Sequence, residues 1–159
     1  MWIVLTGVDM SEHRVELEWK RDTDGFAYKE YSRNHTWKFE NGEVLKASAA
    51  ADYLGDPSCV DPEAAFAASL ASCHALTFLA LAAIKKLTVD SYHDRAVAFL
   101  EKDSESGKMV VARVELHPVV EFADGIEVSR QQLEELHHKA HEECFLANSV
   151  KSEIVTVLE

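Results

Sequence analysis

The stretch Asp61-Pro-Glu-Ala-Ala-Phe-Ala-Ala-Ser-Leu-Ala-Ser-Cys73-His-Ala-Leu-Thr-Phe-Leu-Ala-Leu-Ala-Ala-Ile84-Lys-Lys86 decides how the rest of the chain is read. Asp61 suits an N-cap, Pro62 the first helical position, and Glu63 the positive end of the helix dipole. A helix to about Lys86 follows. Between Ala64 and Ile84, 21 residues pass without one Asp, Glu, Lys or Arg, which meets the length criterion for a membrane span. Nine of the 21 are alanine, and Ser69, Ser72, His74 and Thr77 add polarity, so the segment is small-sided more than greasy. We read it as a buried helix and expect no membrane association. A helix without a charged face must be covered. In one small domain that calls for enclosing sheets or a partner subunit.

Upstream, residues 13–20 alternate, with Val15, Leu17 and Trp19 on one face, as in a half-buried strand. A second strand is expected from about Ala27 to Phe39. Its odd positions put Tyr31, Arg33, His35, Trp37 and Phe39 on one face. Asn41-Gly42 is a strong hairpin signal, with Val44 to Ala49 as the returning strand. A loop carrying Gly55, Pro57 and Cys59 leads to the helix.

Downstream, two long strands are expected, roughly Val89–Lys102 and Met109–Phe122, around the turn Asp103–Gly107. Ser129-x-x-Gln132 is a capping box that opens a second helix. Leu133, Leu136 with His137, Ala140 and Cys144 form its buried stripe, and Asn148 is its expected stop. A last strand runs over Ser152–Leu158. The expected order is β-β-β-α-β-β-α-β, an α+β fold with a long buried central helix. Residues 1–9 read as an N-terminal extension, and 10–159 as one domain.

Composition narrows the function. The chain has 159 residues, 28 acidic against 16 basic, and a formal charge of −12, so a phosphate-tracking surface and nucleic-acid partners are not expected. Three cysteines make no secreted disulfide framework and fit a reducing cytoplasm. Cys73 sits near the middle of the buried helix and Cys144 on the buried stripe of the second. They read either as core cysteines or, if the helices bring them together, as a redox pair. Cys73 lies about three turns inside its helix, beyond the reach of the dipole that activates thiols at helix N-termini. Arg33 is the candidate cation; its other reading is a structural ion pair with an acid. His137, His141 and Cys144 share a helix face, with Cys73 or His74 as a further ligand in a zinc reading. No Cys-x-x-Cys or second ligand pair supports that reading, and no metal is expected. Cys59 reads as a bystander and His74 as a core histidine.

Three segments carry a resemblance. Asp61–Leu79 resembles the central helix of the OsmC/Ohr family of thiol peroxidases. His141-Glu-Glu-Cys144-Phe-Leu-Ala-Asn-Ser-Val resembles that family's second cysteine segment, and Tyr31-Ser-Arg33-Asn-His-Thr-Trp-Lys-Phe the arginine strand of its OsmC-like branch. The resemblance implies an OsmC-like fold, an intertwined homodimer and reduction of organic hydroperoxides. Cys73 matches the peroxidatic cysteine and Cys144 the resolving one. Glu63 matches the glutamate that orients the arginine, and Arg33 that arginine, with Arg21 as the alternative. It implies an external dithiol, of lipoyl type, as reductant, and no metal or organic cofactor. Phe145 stands where many members have proline, which leaves the sub-branch open. Two other readings compete: a redox-inert dimeric stress or binding protein, and a metal-binding module. Glu63 and Cys73 are separated by about 15 Å of helix rise. An active site using both is therefore expected to take Glu63 from a neighbouring subunit.

Overall fold

Asn41-Gly42 turns the chain as its sequence predicts. Gly42 adopts φ 90° and donates to the Phe39 carbonyl at 3.0 Å, while Phe39 N–H reaches the Glu43 carbonyl at 2.9 Å. The computed structural model describes residues 10–158, so the expected extension over residues 1–9 lies outside the described residues. The chain forms two compact units, one up to Pro62 and one from Glu63 onward.

The first unit is an antiparallel sheet of β1 (Val15–Glu18), β2 (His35–Phe39) and β3 (Val44–Ala47), in that spatial order. Leu17 pairs with Trp37 and Trp37 with Leu45, which lines their side chains along one face. The expectation of a half-buried β1 is corrected: Val15 is 58% and Leu17 62% exposed. Alternation says which side chains share a face, not whether anything covers it. The second strand is also shorter than expected. Residues 27–34 leave the ladder because Glu30 and Tyr31 N–H groups turn back to the Ala27 carbonyl, and the Glu30 carboxylate accepts from Ala27 N–H. Tyr31 and Phe26 gather with Trp19, Phe26 and Tyr31 at 5.1 Å between ring centroids. Arg33 therefore precedes β2 rather than sitting in it. After β3, the chain folds back so that Val60 bridges Ala47. Gly55 lies so close to the Ala49 carbonyl that any side-chain carbon there would overlap it.

The second unit is built on α1 (Pro62–Ile84). Then come β4 (Val89–Asp94), β5 (Val97–Lys102), β6 (Met109–Leu116), β7 (Pro118–Phe122), α2 (Arg130–Glu143) and β8 (Glu153–Thr156). Each of the two long strands expected here is broken in two. Pro118 has no N–H for a continuous ladder, and the preceding His117 N–H is taken by the Asp94 carboxylate at 2.7 Å. The four pieces sort into two sheets. β4 pairs antiparallel with β7, while β5, β6 and β8 form the other, with β8 parallel to β6. The order becomes β-β-β-α-β-β-β-β-α-β, still α+β.

α1 buries Ala67, Leu70, His74, Phe78 and Ala82, a single stripe at steps of three and four. Ala67 and Leu70 pack on Val114 and Leu116 of β6; Phe78 and Ala82 pack on Leu136 and Ala140 of α2. Complete burial of a side chain such as Leu70 or Phe78 contributes roughly 1.5–3 kcal/mol. The expectation of a helix covered on all sides is not met within one chain, since Leu76 and Ile84 are each 65% exposed. The helix is long and apolar enough to span a membrane by length and composition. α2 starts with the full Ser129–Gln132 capping box. It ends at Glu143 with Cys144 as C-cap, earlier than the expected stop at Asn148. Asn148 instead donates its side-chain amide to the Glu142 carbonyl at 2.8 Å, closing the helix from outside.

Removing that capping box is the direct test of how α2 is held. Ser129→Ala should cost about 1 kcal/mol, read as a lower urea midpoint with an unchanged slope.

Candidate active site

The two helices bring Cys73 and Cys144 together. Cys73 comes from the interior of α1, half-buried, and Thr77 Oγ1 caps its carbonyl at 2.9 Å. Cys144 comes from the end of α2 and is 1% exposed. Burial, and then a hydrogen bond to the Cys73 sulfur, push the Cys144 thiol up to about 11. Backbone N–H groups of Ala147, at 3.5 Å, and Leu146 act in the opposite direction. At neutral pH the Cys144 thiol therefore keeps its proton, directed at the Cys73 sulfur. All three cysteines are free thiols. Cys59 lies in the first unit, where its thiol hydrogen-bonds Asp56.

The other predicted residues are positioned separately. Glu63 occupies the first turn of α1, half-buried. α1 runs unbroken from Pro62 to Ile84, so Glu63 and Cys73 of one chain are held about 15 Å apart along its axis. Arg33 belongs to the first unit. Its guanidinium donates to the Tyr31 carbonyl at 3.0 Å and the Tyr28 carbonyl at 2.7 Å, and lies over the rings of Tyr31 and Tyr28 at 4.3 and 5.2 Å. Among the described residues no carboxylate pairs with it, so it is not a local ion pair. Arg21 is held likewise, by the Thr23 and Asp24 carbonyls at 3.0 and 2.7 Å.

Sequence reasoning missed a second polar contact between the helices. His74 Nε2 and His137 Nδ1 are 3.0 Å apart, their rings 3° from parallel, and both residues are buried. Phe78 stacks on His137 at 4.4 Å. Burial lowers both histidines to about 4; His141 adds to the effect on His74, and His74 to that on His137. Each ring is therefore neutral near pH 7, one donating and the other accepting. The available signal was the position of each histidine on its helix's buried stripe. It marked His74 as a core residue, as expected, but could not name its partner. Among the described residues, His137 Nε2 and the Tyr92 hydroxyl have no hydrogen-bond partner. This pairing also dissolves the zinc face: His137 turns to His74 and Cys144 to Cys73. Among the described residues no three His, Cys, Asp or Glu side chains converge as metal ligands.

Comparison with known proteins places this geometry in context. A family model described as OsmC-like protein matches residues 55–159. An OsmC-like protein of unknown function from Vibrio cholerae is 46% identical, with a TM-score of 0.89 over 94% of this chain and all of that one. An organic hydroperoxide resistance protein from Legionella pneumophila has the same fold at 20% identity, TM-score 0.68, covering 94% of this chain and 96% of that one. One from Bacillus subtilis does so at 19% identity, TM-score 0.63, covering 94% and 97%. No curated protein sequence matches the chain.

The buried histidine pair makes stability pH-dependent with a definite sign. The unfolded chain protonates these rings near 6.5, the folded one near 4. Stability should be complete above pH 6.5 and fall as pH drops toward 4, by a few kcal/mol across that window. Urea midpoints measured against pH check this, and His137→Phe should flatten the slope.

Proposed function

Because the chain belongs to the OsmC-like family, we propose that it is a cysteine-based peroxidase that reduces organic hydroperoxides to alcohols in oxidative-stress defence. The observation that carries the reading is the Cys73–Cys144 contact, two free cysteines of which the more buried, Cys144, is held protonated. The resistance proteins named above lend the substrate class.

In this reading the Cys73 thiolate attacks the OH-bearing oxygen of the peroxide. The S–O bond forms, the O–O bond breaks, and the alcohol leaves, with Cys73 oxidised to a sulfenic acid. Cys144 then attacks the sulfenic sulfur, forming the disulfide and releasing water. An external dithiol, of lipoyl type, returns both cysteines to thiols. Arg33, with Arg21 as the alternative, supplies the positive charge that steadies the thiolate and places the peroxide; Glu63 orients that arginine. Turnover uses no metal or organic cofactor, and a reducing cytoplasm suits it.

The working unit is a homodimer. Its support is the face that one chain leaves open on α1, including Leu76 and Ile84, and the unbroken helix between Glu63 and Cys73. With Glu63 held some 15 Å from Cys73 in its own chain, the glutamate beside a given Cys73 comes from the neighbouring subunit.

Cys73→Ser should abolish hydroperoxide consumption. Cys144→Ser should allow one turnover and then stop as sulfenic or over-oxidised sulfur, and Cys59→Ser should change little. Thiol counting during anaerobic titration with cumene hydroperoxide measures all three. Sustained turnover by Cys144→Ser would remove the two-cysteine assignment. The shared site has its own test. Inactive Glu63→Ala and inactive Cys73→Ser subunits, mixed under exchange, should recover one intact site per heterodimer; heterodimers without activity would return Glu63 to its own chain.

A further inference from the structure

In a peroxide cleavage the expelled oxygen leaves as an alkoxide, a base comparable with hydroxide and a poor leaving group without a proton. The residues around Cys73 in the second unit offer few donors. Thr77 spends its hydroxyl on the Cys73 carbonyl, at 2.9 Å. One N–H of the His74–His137 pair is taken up between the two rings, at 3.0 Å, and the pair, with His137 Nε2 unpartnered among the described residues, lies on the neighbouring face of α1. Tyr92, its hydroxyl likewise unpartnered among the described residues, packs on that same face against Phe78 and His137. The Cys144 thiol is the donor already hydrogen-bonded to the attacking sulfur.

We propose that Cys144 is the general acid of the peroxide-cleaving step as well as the thiol that resolves it. This role rests on the peroxidase reading and deepens it.

The step balances as follows. A lone pair of the Cys73 thiolate forms the S–O bond, and the O–O pair departs on the alkoxide oxygen. That oxygen takes the Cys144 proton and leaves as the alcohol. Sulfur has lost two electrons and the peroxide has gained them. Cys144 is left as a thiolate at the moment a sulfenic acid stands beside it. Its lone pair then forms the S–S bond, the S–O bond breaks, and hydroxide takes a proton from solvent. No separate base is required to activate the resolving cysteine.

The surroundings of Cys144 suit both halves of this role. Burial keeps its proton in place until a strong base appears beside it, and an alkoxide is such a base. Once the proton has gone, the N–H groups of Ala147 and Leu146 are already directed at the sulfur to receive its charge.

The test compares two oxidants whose leaving groups differ in their need for a proton: tert-butyl hydroperoxide expels an alkoxide, whereas peracetic acid expels a carboxylate. Single-turnover oxidant consumption is measured with full-length wild type, Cys144→Ala and Cys73→Ser under excess protein. In Cys144→Ala the ratio of peracid rate to alkyl hydroperoxide rate should rise about 100-fold over wild type, the lower end of what a general acid contributes. An unchanged ratio overturns the proposal, including the case where both rates fall together, because that is lost packing and not a lost proton. If wild type consumes neither oxidant faster than Cys73→Ser, the peroxidase reading itself fails, and the general-acid role fails with it.

Discussion

The crossing of α1 and α2 is clamped by two hydrogen bonds of different chemistry, and the candidate site depends on both. One joins the buried imidazoles of His74 and His137; the other joins the thiols of Cys73 and Cys144. His74 and Cys73 are adjacent on α1, about 100° apart around its axis, while His137 and Cys144 are close to two turns apart on one face of α2. The imidazole pair, sandwiched with Phe78, fixes the rotation of α1 against α2. That rotation leaves Cys73 half-buried and aimed at the C-cap of α2. A buried polar pair leaves little freedom to slip, because any shift strands a donor or acceptor away from water.

The same low-polarity surroundings have opposite consequences for the two pairs. Burial drives the histidines toward neutrality, so they act as fixed dipoles near pH 7. It drives Cys144 toward the protonated thiol, so that residue holds a proton beside the Cys73 sulfur. A solvated Cys144 would lose this asymmetry. The C-terminal turn of α2 produces it by ending the helix at Glu143 and tucking the next side chain inward, with Asn148 closing the exposed carbonyl.

The apolar surfaces left open are of one kind. α1 has no charged residue from Ala64 to Ile84, yet a single chain buries one stripe of it. The first sheet likewise exposes Val15 and Leu17 on the face that carries Trp37 and Leu45. Exposed apolar area of this extent is typical of interaction surfaces, and it is the physical ground on which a dimer is proposed.

Much of this was legible in the residues. The uncharged, alanine-rich run marked α1, Ser129 and Gln132 marked the start of α2, and Asn41-Gly42 marked the hairpin, because each depends on interactions within a few positions of the chain. The breaks in the two long strands were not legible: they turn on His117 meeting Asp94, a contact between distant segments. Nor was the release of residues 27–34 from β2, where turn hydrogen bonds and an aromatic cluster outcompeted a ladder that alternation alone had suggested. At the site, the uncharged run put Cys73 within a buried helix, helical spacing put Cys144 on the buried stripe of α2, and His74 read as a core residue. That these two thiols meet, that burial holds Cys144 protonated, and that His74 finds His137 were decided only when the helices packed. Rotation and crossing of two helices are set by the sum of many side-chain contacts, and no local run of sequence contains that sum.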